Sequence, residues 1–344
     1  MYAALAGNVL VAATKAVAAA LTGSASMTSE AIHSSVDTAN EVLLLYGMHR
    51  SGQKPDRLHP LGYGREVYFW SFIVALMIFA LGAGVSIWEG VAHIRAPEPV
   101  TSPIINYVVL ALSFVFEGAS WLVSLRQFHA AKGELGYYEA FRRSKDPPSF
   151  MVLFEDSAAL IGIVLAALGT FGATYLGRAA LDGVASVLIG LVLAGVAMLL
   201  ARESKSLLIG ERADRSLGDS ILRIAAAQPG IDGANGVLTM QLGPEQTVAA
   251  VSVDFDDAMR ARDVECAVQA IEHAVRAAHP DVVALFVKPQ KLATFRASFM
   301  RLYGSDGGGP GALPPTGAAA ANGTSDGDGA PHGEGARDPA ATRK

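Results

Sequence analysis

Cysteine and charged residues are scarce in this sequence. Of its 344 residues only Cys266 is a cysteine, which excludes an internal disulfide framework and cysteine-based zinc modules. Charged residues make up 17% of the chain, below the roughly 25% of soluble domains, and 51% of the residues are hydrophobic. With a mean hydropathy of +0.34, this is the composition of a membrane protein.

The motifs of common enzymes are also missing. The chain has no His-Glu-x-x-His motif, no phosphate-binding glycine loop and no local context for a serine or cysteine nucleophile. The first apolar run lacks the basic segment that opens a signal peptide, and a second apolar run follows at once. We therefore expect a membrane protein that is not an enzyme, whose first apolar run is a membrane helix.

Six apolar runs approach the roughly 20 residues that a helix needs to cross a bilayer. They cover residues 3–21, 28–48, 67–93, 104–125, 150–171 and 179–201. Arginine and lysine concentrate in the loop after the second run, the loop after the fourth and the stretch after the sixth. Because cytoplasmic loops carry the excess of basic residues, this distribution predicts that both termini are cytoplasmic.

Beyond the six-helix membrane domain of residues 1–208, the pattern becomes that of a small folded domain. Residues 209–292 show helical and strand-like spacing in the order helix, strand, strand, helix, strand. This order predicts a cytoplasmic α+β (ferredoxin-like αββαβ) domain with helices on one face of its sheet. Residues 293–344 form a C-terminal extension, expected to be disordered from about 304 because large apolar residues are almost absent there.

A histidine and an aspartate lie four residues apart in the second apolar run. His33 and Asp37 therefore share one face of the predicted helix. Ionisable groups within the bilayer are costly and mark functional sites, and an imidazole with a carboxylate supplies half of a tetrahedral zinc site. The alternative is a polar pair that hydrogen-bonds two membrane helices together.

Two adjacent acids, Glu155 and Asp156, lie near the start of the fifth run. A site of His33, Asp37 and Asp156 would suit Zn²⁺, with Co²⁺ or another divalent ion as alternatives. Neighbouring residues on a helix point about 100° apart, so both acids cannot address one ion. Glu155 is left as a fourth ligand, a proton acceptor or an interfacial charge.

Two more ionisable residues lie at membrane depth, Lys15 in the first run and Glu117 in the fourth. We expect Lys15 to pair with an acid such as Glu117 rather than to contact an ion. Glu117 is then either a hydrogen-bond partner between helices or part of a proton relay.

Three stretches resemble the cation diffusion facilitator family, whose members export zinc and other divalent metals in exchange for protons. SEAIHSSVD resembles the motif of the family's second helix, KPDRLHPLGYGRE the loop that opens its third, and ALDGVASVLIGLVLAG the start of its sixth. The resemblance covers residues 3–290, including the part that matches the family's cytoplasmic dimerisation domain. It implies a homodimeric six-helix transporter.

The resemblance implies that His33, Asp37 and Asp156 form the transport site. The family's usual fourth ligand, a histidine or aspartate, falls on Val152 in this chain. The adjacent pair of Glu155 and Asp156 resembles a branch of the family that has Glu-Asp there instead. This departure leaves the coordination number and the choice of metal open.

Two further metal sites of the family are weakened in this chain. Asp56 and His59 match its loop site, but Tyr63 occupies the third position, so we expect a weak or lost site. The strands of the predicted cytoplasmic domain carry no histidine. His273 and His279 are expected to be solvated rather than to bind metal.

The resemblance therefore predicts a secondary-active exporter of Zn²⁺ or a similar divalent cation from the cytoplasm, coupled to proton antiport. No resident cofactor and no nucleic-acid partner are expected. The alternatives are a metal-binding membrane scaffold or sensor that no longer transports, suggested by Val152, and an intramembrane metal-dependent hydrolase with Glu155 as its base. Little lysine and much alanine, glycine and arginine indicate a bacterial coding bias and hence a bacterial plasma (inner) membrane.

Overall fold

The structure, a computed structural model, describes residues 2–100 and 102–303, with side chains described for 8–100 and 102–301. The tail from about 304, for which the sequence predicts disorder, lies outside the described residues.

The membrane domain is helical throughout its described length, apart from short connections. Its elements are α1 (Tyr2–Thr22), α2 (Ala25–Ser51), α3 (Glu66–Met77), a π-helical turn (Ile78–Ala83), α4 (Gly84–Arg95), α5 (Pro103–Lys132), a short α6 (Tyr137–Arg143), α7 (Pro147–Tyr175) and α8 (Ala180–Ile209).

Among the described residues, 4 stretches are long and apolar enough to cross a membrane, where the sequence predicts six. They are the continuous run Glu66–Arg95, α5, α7 and α8. The described part of α1 contributes a shorter apolar stretch, Asn8–Thr22. At 27 residues α2 is long enough, but its many serines and charged residues keep its hydropathy low.

The first turn of α2 is fixed to the first turn of α8 by a buried carboxylate. Ser24 caps α2, and both oxygens of Asp182 accept hydrogen bonds at 3.0 Å from its hydroxyl. Asp182 also accepts bonds from the hydroxyl of Ser26 at 2.5 Å and from its backbone amide at 3.2 Å. A carboxylate at a helix N-terminus also interacts favourably with the helix dipole, so Asp182 sets where α2 begins.

Helices α4 and α8 pack almost backbone to backbone. A Cβ added at Gly90 would lie 2.6 Å from the Gly183 carbonyl oxygen and 2.7 Å from the Val187 nitrogen. Small residues permit such close approach between membrane helices, where van der Waals packing rather than the hydrophobic effect drives association.

The C-terminal region is a small α/β domain with a mixed three-stranded sheet. Its elements are α9 (Arg215–Ala226), β1 (Ile231–Gly243), β2 (Gln246–Phe255), α10 (Ala261–Ala278), β3 (Val282–Pro289) and α11 (Leu292–Tyr303). The strand order is β1-β2-β3, with β1 and β2 antiparallel and β2 and β3 parallel. The prediction of a helical membrane domain followed by a small α/β region is confirmed.

The last helix, α11, lies in a stretch that the sequence analysis assigned to the C-terminal extension. Phe295 of α11 packs directly on Gly236 of β1, whereas the next residue, Val237, packs against Gly218 of α9. Because neighbouring residues of a strand point to opposite faces, α11 lies on the other face of the sheet from α9. The expectation that the helices share one face concerned α9 and α10, and α11 is an additional helix on the opposite face.

The loop between α2 and α3 rests on the turn between β1 and β2. Gly64 approaches it so closely that a Cβ there would lie 2.8 Å from the Leu242 carbonyl oxygen and against the Gln246 side chain. An ion pair of 2.9 Å joins Lys145, before α7, to Glu211, after α8. These contacts identify the end of the bundle that faces the C-terminal domain.

The packing of α4 on α8 predicts opposite effects for two glycine substitutions. Gly90→Ala should destabilise the protein by about 1–3 kcal/mol, because the backbone atoms that its Cβ meets cannot rotate away. Gly195→Ala, where a Cβ meets nothing within 4 Å, should stabilise α8 by about 0.5–1 kcal/mol. Thermal unfolding of both purified variants in detergent tests this, and equal melting temperatures would contradict it.

Candidate metal site

An acidic cavity of about 610 Å³ lies between α1, α2, α5 and α7. Five carboxylates line it together with Asn8, Ser34 and Ser120: Asp37, Glu41, Glu117, Glu155 and Asp156. Acidic side chains at membrane depth are costly, so their concentration around one cavity indicates function.

The cavity extends from the middle of the bundle toward the C-terminal domain. Ser34, near the middle of α2, lines one part of it, and Met48, close to the end of α2, lines another. Pro148, in the first turn of α7, also contributes to the wall. Since α2 ends and α7 begins on the side of the C-terminal domain, a cation from that side would meet the carboxylates first.

The predicted pair of His33 and Asp37 is brought together on α2. His33 Nδ1 lies 3.3 Å from Asp37 Oδ1, with the histidine only 1% exposed. Within the described structure, neither ring nitrogen of His33 has a hydrogen-bond partner, and Asp37 Oδ1 has none either. Buried polar atoms that lack partners are costly, so this pair has ligand atoms available for an ion or a proton.

Glu155 and Asp156 diverge, as helical geometry predicts. Glu155 faces α2, where its Oε1 accepts a hydrogen bond of 2.9 Å from Asn40 Nδ2. Asp156 faces α5, where its Oδ2 accepts bonds of 3.0 Å and 3.4 Å from the hydroxyls of Ser120 and Ser124. Both line the cavity, but Glu155 is the one bonded to the helix that carries Asp37.

Within the described ranges, no three His, Cys, Asp or Glu side chains are close enough to hold a metal ion as they stand. The structure pairs His33 with Asp37 and lines one cavity with Asp37, Glu155 and Asp156. It bonds Asp156 to α5 rather than to His33 or Asp37.

A buried ion cluster lies beside the cavity. Lys15 Nζ is 2.6 Å from Glu117 Oε1, which confirms the predicted pairing. It is also 3.0 Å from Glu30 Oε2 and 2.9 Å from the hydroxyl of Ser34. Glu30 was not predicted from the sequence, although it lies three residues before His33 and so on a neighbouring part of the same helix face.

Asn40 and Glu41 were also missed by the sequence analysis. Asn40 binds Glu155, and Glu41 accepts a hydrogen bond of 2.9 Å from Asn8 Nδ2 on α1. Their spacing of three and four from Asp37 places them on its side of α2, which is the signal that could have found them.

The loop residues Asp56 and His59 lie together outside the bundle, with Tyr63 beside them. Asp56 accepts hydrogen bonds from the Tyr63 hydroxyl at 2.7 Å and from the backbone amides of His59 and Leu58 at 2.6 Å and 2.9 Å. The Tyr63 hydroxyl and the His59 amide hold the pKa of Asp56 below its ordinary value. This carboxylate is therefore already engaged in shaping its own loop.

The two histidines of the C-terminal domain have different surroundings. His273 is exposed on α10. His279 Nε2 lies 2.8 Å from the Ser220 hydroxyl of α9, so its ring joins the end of α10 to α9.

Residues 1–209 match the family model described as "Cation efflux transmembrane domain". The "Proton-coupled zinc antiporter SLC30A9, mitochondrial" of Xenopus laevis is 35% identical over 246 residues, which is 70% of this chain and 44% of that protein. The "Metal tolerance protein C4" of Arabidopsis thaliana is 32% identical over 233 residues, or 67% and 51% of the two chains. The "Cation-efflux pump FieF" of Cronobacter sakazakii is 25% identical over 264 residues, or 75% and 81%. The chain thus spans about half or less of the first two relatives.

The cavity predicts which positions of α7 water can reach. In a Cys266→Ser background, Val152→Cys should react with a charged, membrane-impermeant thiol reagent in lipid nanodiscs, because Val152 lines the cavity. Ile161→Cys is the matched control, since Ile161 is exposed on the same helix but does not line the cavity. It should stay unmodified in the lipid. Equal labelling of the two positions would contradict a cavity open to water.

Proposed function

The chain belongs to the cation efflux family of membrane transporters, and on that basis we propose that it exports Zn²⁺ or a similar divalent cation from the cytoplasm in exchange for protons. The observation that carries the proposal is the cavity, in which carboxylates converge beside a buried, unpaired histidine on α2. Relatives about 35% identical are named proton-coupled zinc antiporters, which supports zinc and protons as the exchanged ions.

The proposed transport site consists of His33, Asp37 and Asp156, with Glu155 as a fourth group. Imidazole nitrogen and carboxylate oxygen are ligands that Zn²⁺ accepts in tetrahedral sites. Co²⁺, Mn²⁺, Fe²⁺ and Cd²⁺ are alternative cargoes, because ligand type alone separates these ions poorly. The contact of Glu155 with Asn40 supports a direct role for Glu155, since it lies against α2.

Proton coupling follows from the chemistry of these ligands. A histidine binds metal only when it is neutral, and a carboxylate only when it is ionised, so metal binding releases protons and protons displace metal. An exchange of the two ions across the membrane requires the site to face each side in turn, as in other secondary transporters.

We propose that α1 and α2 also span the membrane, which gives six spans with both termini in the cytoplasm. The polar residues of α2 line the cavity or bond to α1 and α7, so its low hydropathy is compatible with a span that is shielded from lipid. The amino-acid composition supports a bacterial plasma membrane.

We further propose that the protein is a homodimer joined through its C-terminal domain. Leu238, Ala250 and Phe286 lie in a row across β1, β2 and β3. The side chains of Leu238 and Phe286 are 43% and 59% exposed. An exposed apolar row of this kind is suited to a two-fold interface, which pairs one patch with its own copy.

The loop residues Asp56 and His59 remain candidates for a weak second metal site.

A second candidate function is a metal-binding scaffold or sensor that does not transport. It is favoured by Val152, which occupies the position of a usual ligand and lines the cavity. Metal flux into proteoliposomes separates the two functions, because a scaffold binds the ion without moving it.

The first test of the proposal is the substitution Asp37→Ala. It should abolish Zn²⁺ uptake into proteoliposomes, together with the accompanying proton flux, because it removes a carboxylate beside His33 from the proposed site. Glu139→Ala is the control, since Glu139 lies on the surface helix α6 and its side chain is 53% exposed. Normal flux in a folded Asp37→Ala protein would refute the proposed site.

The two adjacent acids of α7 provide a second test. We expect Glu155→Gln to lower the rate of zinc transport at least as much as Asp156→Asn does. The reason is that Glu155 lies against α2, whereas Asp156 is bonded to the serines of α5. The sequence alone predicts the reverse order, with Asp156 dominant. Initial rates at matched protein density decide between them, and a milder Glu155→Gln would restore the sequence-based assignment.

A further inference from the structure

The charges of the buried cluster beside the cavity do not balance. Lys15 contributes one positive charge, and Glu30 and Glu117 contribute two negative ones. Lys15 and Glu30 are both fully buried, and they neutralise each other as a pair. With all three groups ionised the cluster carries one surplus negative charge, and Glu117 is the member that reaches the cavity.

The two carboxylate oxygens of Glu117 have different surroundings. Oε1 is held by Lys15 at 2.6 Å. Oε2 is buried and has no hydrogen-bond partner within the described structure. An unpaired carboxylate oxygen is a ligand atom, and this one belongs to a side chain that lines the same cavity as Asp37, Glu155 and Asp156.

Lys15 could release Glu117 without becoming an isolated buried charge. Glu30 Oε2 and the Ser34 hydroxyl would still accept hydrogen bonds from its ammonium group, at 3.0 Å and 2.9 Å. Glu30 in turn is wedged against α7, because its carboxylate occupies the place that a Cβ of Gly162 would take. Lys15 and Glu30 can therefore remain paired with each other when Glu117 leaves Lys15.

We propose that Glu117 is an additional ligand of the transported cation, and that Lys15 holds it at the edge of the ion-free cavity. This inference rests on the proposed function. A divalent cation in the cavity competes with the ammonium group of Lys15 for the Glu117 carboxylate. Independently of Glu117, the nitrogens of His33 make no hydrogen bond among the described residues and lie next to Asp37, which lines the cavity, so further ligand atoms are available beside it.

Binding of Zn²⁺ to the full-length protein in detergent, measured by competition with a fluorescent chelator, tests this role. Glu117→Gln should raise the Kd for Zn²⁺ by about tenfold or more, a loss typical of weakened metal coordination. Glu41→Gln is the comparison, because Glu41 lines the same cavity but is bonded to Asn8 instead of a lysine. If Glu41→Gln raises the Kd as much, general cavity charge explains the effect and the proposal is overturned.

A second variant tests the restraint by Lys15. Lys15→Met/Glu30→Gln removes the neutral pair as a unit and leaves Glu117, which reaches the cavity, as the one acidic group of the cluster. Releasing Glu117 in this way should lower the Kd for Zn²⁺, and adding Glu117→Gln should abolish that gain. A thermal melt without zinc shows whether the double variant is folded. If the folded double variant binds Zn²⁺ no more tightly than the original protein, Lys15 does not restrain Glu117.

Asp37→Ala in the same titration separates this inference from the function on which it rests. If Asp37→Ala binds Zn²⁺ like the original protein, the proposed transport site is wrong. If Asp37→Ala loses binding while Glu117→Gln keeps it, the transport site stands and only the role of Glu117 is refuted.

Discussion

The structure depends on the cost of placing charge inside a bilayer. No water is available there, so each ionised side chain needs a partner from a neighbouring helix. Lys15 of α1 forms an ion pair with Glu30 of α2, and Asn40 of α2 donates a hydrogen bond to Glu155 of α7. These bonds tie three helices together more specifically than apolar packing can, since a hydrogen bond requires a donor and an acceptor at matching positions. The positions of α1 and α7 around α2 therefore follow from where the charges lie.

Two of the described residues with buried polar atoms that lack partners, His33 and Asp37, lie together at the acidic cavity. His33 and Asp37 lie within 3.3 Å of each other, yet the imidazole nitrogens make no hydrogen bond among the described residues. Elsewhere in the bundle, the deeply buried carboxylate of Asp182 accepts hydrogen bonds through both of its oxygens. The carboxylate of Asp182 thus has hydrogen bonds to both oxygens, whereas the His33 nitrogens have none within the described part of the chain. The His33 nitrogens are therefore available as ligand atoms beside the acidic cavity.

The sequence predicts features that depend on one helix, and of the contacts between helices it predicts the pairing of Lys15 with Glu117 but misses those of Glu30 and Asn40. The spacing of His33 and Asp37 and the divergence of Glu155 and Asp156 follow from helical geometry, and the structure agrees with both. The partner of Glu155 could not be predicted, because it depends on the position of α7 along the axis of α2. The polar residues of α2 also explain why the structure contains fewer clearly apolar spans than the sequence suggests.

The two ends of the bundle differ in a way that fixes which side the cavity faces. At the end away from the C-terminal domain, Gly90 packs on Gly183, Gly172 packs on Leu181, and Asp182 binds the first turn of α2. Backbone contacts and a satisfied carboxylate hold the helices together at that end. At the other end, Met48 of α2 and Pro148 of α7 line the acidic cavity. The acidic cavity therefore faces the side of the C-terminal domain. In the proposed transport cycle, release of an ion on the opposite side would require the contacts around Asp182 to part while the walls of the cavity close.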